Sequence, residues 1–321
     1  MVRLDRVLVI GGAGFLGARL CDRLLDRGAR RVWCVDNLST SPRAGLAGLR
    51  ERPGFEFIEH DITEPLDGAA LFGSLDAVFH LASPASPVDY LRLPLETLRV
   101  GAHGTAVAIE VAERCRARFV LASTSEVYGD PLLHPQPESY WGNVNPIGPR
   151  SVYDEAKRFA EALTFAQRRA RGADVAVARI FNSYGPGMRH DDGRMVPTFC
   201  WQALLGQPIG VAGDGRQTRS LCYVDDTVAG LIALAASDIT GPVNIGNPTE
   251  HSVLSVAELI RGLVGSASPI EHGPAAQDDP RRRCPDIRLA RQALGWEPRI
   301  SAEEGLARTI AWFRRQIPEA V

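Results

Sequence analysis

The sequence predicts an α/β fold, a doubly wound parallel sheet joined to a smaller C-terminal lobe. Three observations predict it. Short, almost wholly apolar runs alternate with stretches of helical spacing up to about residue 180, the pattern of strands buried on both faces and linked by crossover helices. A glycine-rich turn separates the first such strand from the first helix, and an acidic residue ends the second strand. Beyond residue 181 the alternation gives way to loops rich in glycine and proline.

The elements follow in order. Residues 6–10 form the first strand, and residues 14–26, with Leu16, Leu20 and Leu24 on one face, the first helix. Strands two to four are residues 32–35, 55–59 and 77–81. The amphipathic stretch 94–116 leads into a fifth strand, 119–122, and a helix over 153–171 leads into a sixth, 175–180. Right-handed crossovers between these strands place helices on both faces of the sheet. In the second half, Asp225 reads as the N-cap of a helix over 227–236 and residues 243–245 as a short strand. Ser255 reads as the cap of a helix running to 264, and Ser301 as the cap of one running to about 313. The resulting division gives a dinucleotide-binding domain of residues 1–181 plus about 220–246, and a lobe of about 182–219 plus 247–321. That lobe lies over the C-terminal edge of the sheet, with the loops at 184–193 and 210–215 lining a cleft.

Composition narrows the function. A chain of 321 residues with 45% hydrophobic and 23% charged positions is ordinary globular material, which excludes a disordered or fibrous protein. A formal charge of −2 leaves no domain-wide basic surface for nucleic acid or an anionic membrane. No run of about 18 apolar residues exists and the N-terminus enters a strand pattern directly, so a cytoplasmic protein without a membrane span or signal peptide is expected. The six cysteines are scattered without metal-type spacing, so reduced thiols and no metal are expected. Of 36 basic residues, Lys157 is the only lysine. Codon bias explains the arginine excess, but a position that keeps lysine points to chemistry needing a compact ammonium with a tunable pKa.

The first strand ends in Gly11-Gly12-Ala13-Gly14-Phe15-Leu16-Gly17, a G-x-x-G-x-x-G turn opening a helix. Glycines permit the tight turn and close approach of a pyrophosphate, which a helix N-terminus favours electrostatically. With a strand before it and a helix after it, this is a Rossmann dinucleotide site. Asp36, at the end of the second strand and about 20 positions on, is placed to bind the adenosine ribose hydroxyls and to repel a 2′-phosphate, so NAD is the expected cofactor. Asn37 follows it. Asp61 and Ile62, past the third strand, are expected against the adenine, and His80, Leu81, Ala82 and Ser83, at the end of the fourth, beside the nicotinamide ribose.

Tyr153 and Lys157 form Y-x-x-x-K, which puts both on one helical face. A phenol is a poor base at neutral pH unless a neighbouring ammonium stabilises the phenolate, and the lysine can also hold ribose hydroxyls. The pair then takes a proton from a substrate alcohol while hydride leaves its carbon for the nicotinamide. The fifth strand ends in Ser123-Thr124-Ser125-Glu126, facing the same cleft. Thr124 is expected to share the substrate oxygen with Tyr153. Glu126 is a base, an acid or a structural acceptor on its residue type alone.

These motifs resemble the extended short-chain dehydrogenase/reductases. Within them the chain is most similar to the UDP-glucuronate decarboxylases, also called UDP-xylose synthases. The carrying segments are His80-Leu-Ala-Ser-Pro-Ala-Ser-Pro87, Ser123-Thr-Ser-Glu-Val-Tyr-Gly-Asp-Pro131, the Tyr140-Trp-Gly-Asn-Val-Asn-Pro146 stretch, Arg179-Ile-Phe-Asn-Ser-Tyr-Gly-Pro186, Asp192-Gly-Arg194, Gly213-Asp-Gly-Arg-Gln-Thr-Arg-Ser220 and Asp278-Asp-Pro-Arg-Arg-Arg-Cys-Pro-Asp286. Sister 4,6-dehydratases carry Thr-Asp-Glu where this chain has Thr124-Ser125-Glu126, and 4-epimerases usually lack the glutamate. A 4-epimerase or dehydratase is the alternative enzyme. A non-catalytic dinucleotide sensor would have lost the Tyr153–Lys157 pair.

The resemblance implies oxidation at the sugar C4 with Tyr153 as base, helped by Lys157, Thr124 and Ser125. Loss of carbon dioxide and re-reduction of the ketone follow. It places Glu126 and Arg283 around the substrate carboxylate and C5, Tyr90 against the sugar carboxylate, and Asn182, Arg194 and Arg219 on the UDP moiety. It also implies a homodimer formed through the two helices flanking the sheet edge. The chain departs from the family at Val100-Gly101-Ala102-His103-Gly104, at Ser41, and at Gly187, with Arg189 displaced along the chain.

Overall fold

The computed structural model describes residues 4–275 and 280–317. Seven strands form the central sheet: β1 (Arg6–Ile10), β2 (Arg31–Asp36), β3 (Phe55–Glu59), β4 (Ala77–His80), β5 (Arg118–Thr124), β6 (Val175–Ile180) and β7 (Val243–Ile245). Their spatial order is β7-β6-β5-β4-β1-β2-β3, and every pair is parallel. The winding reverses between β1 and β4, which opens a crevice at the C-terminal ends of those strands.

The apolar runs have a direct cause. Val7 and Val9 of β1 pack with Leu20 and Leu24 of helix Phe15–Asp26 and with Leu231 of helix Val224–Ala235, while Leu8 and Ile10 join Val107 and Val111 on the other face. Both faces are covered, so no strand position can be polar without a buried partner. β5 is buried along all seven residues. It is longer than the expected strand because Arg118 at its start pairs with Asp174 and its Ser123 hydroxyl donates to Glu161 at 2.6 Å.

Several boundaries differ from expectation. β4 ends at His80, one residue short of the expected strand. The stretch 94–116 is helix Pro94–Arg99, a π turn Val100–Gly104 and helix Thr105–Arg114. Gly101 in that turn faces helix Ser151–Arg171, where an added Cβ would lie 2.7 Å from the Ala156 Cβ. The glycine is thus what lets the helix carrying Tyr153 pack so closely. Asp225 is not an N-cap: Tyr223 precedes helix Val224–Ala235, and Asp225 in its first turn pairs with Arg19 and Arg23 at 2.5 and 3.1 Å. Ser252 rather than Ser255 caps helix Val253–Val264, its hydroxyl accepting the Ser255 N–H at 3.0 Å. Ser301 does cap helix Ala302–Arg314, accepting the Glu304 N–H.

The lobe is built from helices Met195–Leu204, Val253–Val264 and Ala302–Arg314, which pack on one another, and two small strand pairs. Ile209–Ala212 runs parallel to Ile270–Gly273, and Thr218–Ser220 antiparallel to Glu250–Ser252. Its core is continuous with one face of the sheet. Helix Arg288–Leu294 packs against β7 and helix Val224–Ala235. All six cysteines are buried free thiols. Among the described residues no helix is long and apolar enough to cross a membrane.

Candidate active site

A cleft of about 1120 Å³ runs from the β1–helix turn to the lobe, larger than the roughly 300–1,000 Å³ of an ordinary small-molecule site. At one end, the Gly11 N–H donates to the Val35 carbonyl at 2.7 Å. Gly11 sits at φ +80°, and a Cβ there would lie 2.5 Å from the Ala82 nitrogen. A Cβ on Gly17 would lie 2.1 Å from the Gly11 carbonyl oxygen. Gly14 is different. It is the N-cap of helix Phe15–Asp26 in ordinary extended conformation, no side chain caps that helix, and a Cβ there would meet nothing of the protein closer than 3.5 Å. The fold does not need this glycine; the space in front of it, against uncapped helix N–H groups, suits a pyrophosphate. Phe15 and Leu16 line the same cleft.

Asp36 is nearly buried, and its carboxylate accepts N–H bonds from Ala13 at 3.0 Å and Leu38 at 2.8 Å. Burial pushes its pKa up despite those bonds. Asn37 donates to Asp61 at 2.9 Å, and Asp61 also accepts from the Thr63 N–H and hydroxyl. Ile62, Leu81, Ala82 and Ser83 line the cleft beside them.

Tyr153 and Lys157 face the cleft from helix Ser151–Arg171, both buried. Tyr90, on the short helix Pro87–Arg92, stacks on Tyr153 with ring centroids 5.4 Å apart and planes 12° from parallel. Burial and then the Glu126 charge push the Tyr153 phenol well above its ordinary value, while the Thr124 hydroxyl and the Arg194 charge pull it back. Lys157 is not among the principal groups acting on the phenol. Its Nζ donates to the Ala122 carbonyl at 2.9 Å and lies 6.0 Å from the Tyr153 ring centre. Burial lowers the ammonium to about 8, opposed by Glu161. Thr124 ends β5, and its hydroxyl accepts the Glu126 N–H at 3.2 Å, which starts the turn Ser125–Tyr128.

That turn aims Glu126 into a knot of guanidiniums. Arg283 forks onto it at 2.7 and 2.8 Å, and Arg150 reaches it at 2.8 Å. Burial pushes the carboxylic acid up, but Arg283 and Arg150 outweigh it and the group stays below its ordinary value, ionised. Asp154, next to Tyr153, goes the other way: burial and then the Glu126 charge push it up to about 7 against the pull of the Arg150 and Arg283 charges, and its Oδ1 is buried without a hydrogen bond. Arg283 also donates to Asn182 Oδ1 at 3.2 Å. The Asn182 Nδ2 and the Arg283 Nε are buried without a partner in the protein, so each can still serve a polar ligand. Arg219 is buried in the same wall, donates to the Thr218 carbonyl at 2.8 Å, and adds its charge to those acting on Glu126. Arg194 sits at the head of helix Met195–Leu204, held by Asp192 at 3.1 Å.

Every site residue expected from the sequence lines this cleft except His80, which is buried beneath it at the end of β4, where burial lowers its imidazole to about 3. Of the arginine run, Arg281 and Arg282 are exposed and Arg283 is buried; Asp278 and Asp279 lie outside the described residues. Two side chains that hold the site's Glu126 and Arg283 in place escape the sequence reading. Arg150 stands three residues before Tyr153 and seven before Lys157, so Arg-x-x-Tyr-x-x-x-Lys marks one helical face and was a readable signal. Gln136 is fully buried and lashes down the Arg283 loop, its N–H donating to the Cys284 carbonyl at 2.9 Å and its Oε1 accepting the Cys284 N–H at 2.8 Å.

Residues 7–246 match the NAD dependent epimerase/dehydratase family. The UDP-glucuronic acid decarboxylase 1 of Xenopus tropicalis is 49% identical over 97% of this chain and 73% of its own length. The UDP-glucuronic acid decarboxylase 6 of Arabidopsis thaliana is 49% identical over 97% of this chain and 90% of its own. Among solved structures, a UDP-glucose 4-epimerase of Thermotoga maritima with UDP-glucose superposes with TM-score 0.88 at 29% identity, covering 97% of this chain and 99% of that one. A UDP-glucuronic acid 4-epimerase of Bacillus cereus in complex with UDP-glucuronic acid and NAD gives 0.87 at 26%, covering 97% and 100%.

Proposed function

This chain belongs to the NAD dependent epimerase/dehydratase family, and we propose that it decarboxylates UDP-glucuronic acid to UDP-xylose with NAD as a recycled cofactor. The observation that carries this reading is the buried Glu126 held between Arg283 and Arg150 beside Tyr153. A 4-epimerase needs only to exchange the faces of C4, and a 4,6-dehydratase needs a free acid to expel water. A carboxylate committed to two guanidiniums suits neither, while guanidiniums suit a substrate carboxylate at C5. The relatives near 49% identity carry the decarboxylase name, against 26–29% for the two epimerases.

When bound, NAD would supply the hydride acceptor for oxidation at C4 and, as NADH, the donor for the closing reduction. Gly11, Gly14, Phe15, Leu16 and Gly17 would hold its pyrophosphate, Asp36, Asn37, Asp61 and Ile62 its adenosine, and Leu81, Ala82, Ser83, Tyr153 and Lys157 the nicotinamide ribose. In the substrate step Tyr153 Oη takes the proton of the C4 hydroxyl, with Thr124 and Ser125 sharing that oxygen. The 4-ketone is then β to the carboxylate, so the C5–carboxylate bond breaks, carbon dioxide leaves, and the electron pair moves onto the ketone oxygen as an enolate. Glu126 and Arg283 manage the carboxylate side and the protonation of C5; Tyr153 returns its proton to O4 at the end. Tyr90 would contact the sugar carboxylate, and Asn182, Arg194 and Arg219 the UDP.

The domain split given by the sequence, a homodimer and a cytoplasmic setting belong to the same proposal. Leu95, Leu98 and Phe159 are exposed on helices Pro94–Arg99 and Ser151–Arg171, which pack side by side, and this supports a dimer through that face. The six reduced thiols suit a reducing compartment. Mass spectrometry of the product from UDP-glucuronate and NAD tests the function: UDP-xylose with one carbon dioxide per turnover is expected, and UDP-galacturonate or a dehydrated sugar would refute it.

A further inference from the structure

The segment joining β6 to helix Met195–Leu204 crosses the mouth of the cleft. Its Gly187, at φ +98°, lies against Phe15 of the glycine-turn helix, with only 3.6 Å between a Cβ built there and the ring, and Met188 is buried. Arg189 then reaches out and fastens three pieces of chain. Its NH1 donates to the Thr40 carbonyl, on the loop after Asp36, at 2.7 Å. Both terminal nitrogens reach the Asp89 carboxylate at 3.3–3.5 Å, and Nε donates to Asp191 at 3.0 Å. Asp89 is 5% exposed and preset for this: it belongs to the helix that carries Tyr90, accepts the Ser86 hydroxyl at 2.7 Å, and also takes Arg92 at 3.3 Å.

The strap therefore ties the lobe to the adenosine loop on one side and to the Tyr90 helix on the other, directly over the glycine turn. We propose that Arg189, gripping Asp89 and Thr40, is a positioning residue that locks the dinucleotide in place through the whole cycle. The inference rests on the proposed reaction for its purpose. A cofactor that must give back to the same sugar the hydride it took should not leave between the two steps. Loosening the strap diverts the cycle to release of its half-products, in which UDP-glucuronate and NAD leave as UDP-4-ketopentose, carbon dioxide and NADH. The C4 hydride is then in NADH, and the O4 proton is balanced by the one taken up at C5.

The test loads the full chain with NADH and chases it with excess NAD, following NADH fluorescence to obtain the dissociation rate. Arg189→Ala removes several charge-assisted hydrogen bonds at a half-buried site, so the rate should rise about tenfold or more. Asp89→Asn should raise it in the same direction. Arg189→Lys, which keeps the charge opposite Asp89 but cannot also span to Thr40, should fall between the two. UDP binding by calorimetry should stay within about twofold of the parent in Arg189→Ala. A dissociation rate within about twofold of the parent in both Arg189→Ala and Asp89→Asn overturns the proposal. A parallel collapse of UDP affinity also overturns it, because Arg189 would then be supporting the lobe as a whole. The chase needs no UDP-glucuronate, so it reads the strap even if the carbon dioxide assay rejects the proposed reaction.

Discussion

Exchanging Glu126 for glutamine and Arg283 for alanine should move substrate binding in opposite directions. Glu126 takes three short contacts from two guanidiniums, at 2.7, 2.8 and 2.8 Å, with the three side chains 7–17% exposed. Glu126→Gln keeps the shape and removes the charge, leaving Arg283 and Arg150 facing a neutral amide near Arg219. Removing one partner of a buried pair typically costs about 3–5 kcal/mol, and the remaining amide contacts and the second arginine place this site at the low end, about 3 kcal/mol. Because Arg283 and Arg150 hold the Glu126 acid below its ordinary value of 4.5, that stabilisation is complete above about pH 4.5 and fades as pH falls through the lower folded value. The deficit of Glu126→Gln should therefore shrink in acid.

The same exchange leaves the guanidiniums hungry for an anion. UDP-glucuronate should bind Glu126→Gln at least as well as the parent, while kcat falls. Arg283→Ala should instead raise KM, losing about 1.5–3 kcal/mol of charge-assisted contact, or tenfold to a hundredfold in kcat/KM. Enzyme-bound NADH by absorbance and released carbon dioxide, measured separately in single turnovers, complete the assay. NADH without carbon dioxide in Glu126→Gln places the carboxylate after oxidation; no NADH places it at ring positioning. Parent-like stability and turnover in Glu126→Gln, or a KM that rises equally in both variants, would refute the reasoning.

The glycines give a paired test: Gly14→Ala should fold with parent-like melting and lose NAD binding by calorimetry, whereas Gly17→Ala, with its Cβ 2.1 Å from the Gly11 carbonyl, should fail to fold stably. Gly14→Ala binding NAD normally would remove the turn from the cofactor site. Asp36→Asn should raise NADP affinity relative to NAD by about tenfold on removing a charge beside the 2′ position, and an unchanged ratio in a titration would contradict the assignment. Lys157 is held at about 8 in the folded protein against an ordinary 10.5, so the folded state binds fewer protons there and its stability rises with pH between those values. Lys157→Met should accordingly be more stable than the cofactor-free parent at pH 7, by up to about 3 kcal/mol, with the gain vanishing near pH 10.5 in chemical denaturation; a less stable variant at pH 7 would show that the Ala122 contact outweighs burial.

What the sequence made legible follows from range. Strands and glycine turn were readable because their signals are local: Leu8 and Val9 are apolar for opposite faces of one sheet, and Gly11 and Gly17 are forced by atoms within a few residues or across one strand. Tyr153 and Lys157 were readable because a helix turns spacing into proximity, and Arg150 was readable on the same grounds but went unread. The helix starts at 224 and 253 were misplaced because several polar residues near each could cap, and tertiary partners chose among them: Asp225 was claimed by Arg19 and Arg23, about 200 positions away. Arg283 shows the limit most clearly. Its position depends on Gln136, which holds the neighbouring Cys284 from 148 residues away and carries no periodicity, turn or charge pattern to announce that link. The same holds for Arg189 and Asp89, 100 residues apart. Residues that do chemistry sit on local motifs because the backbone must present them, but the residues that fix them in place are chosen by whatever the fold brings alongside. Sequence reading therefore picks out the candidate reacting groups and misses their supports, such as Asp89 for Arg189 and Ala156 against Gly101, because those pairings exist only in the folded chain.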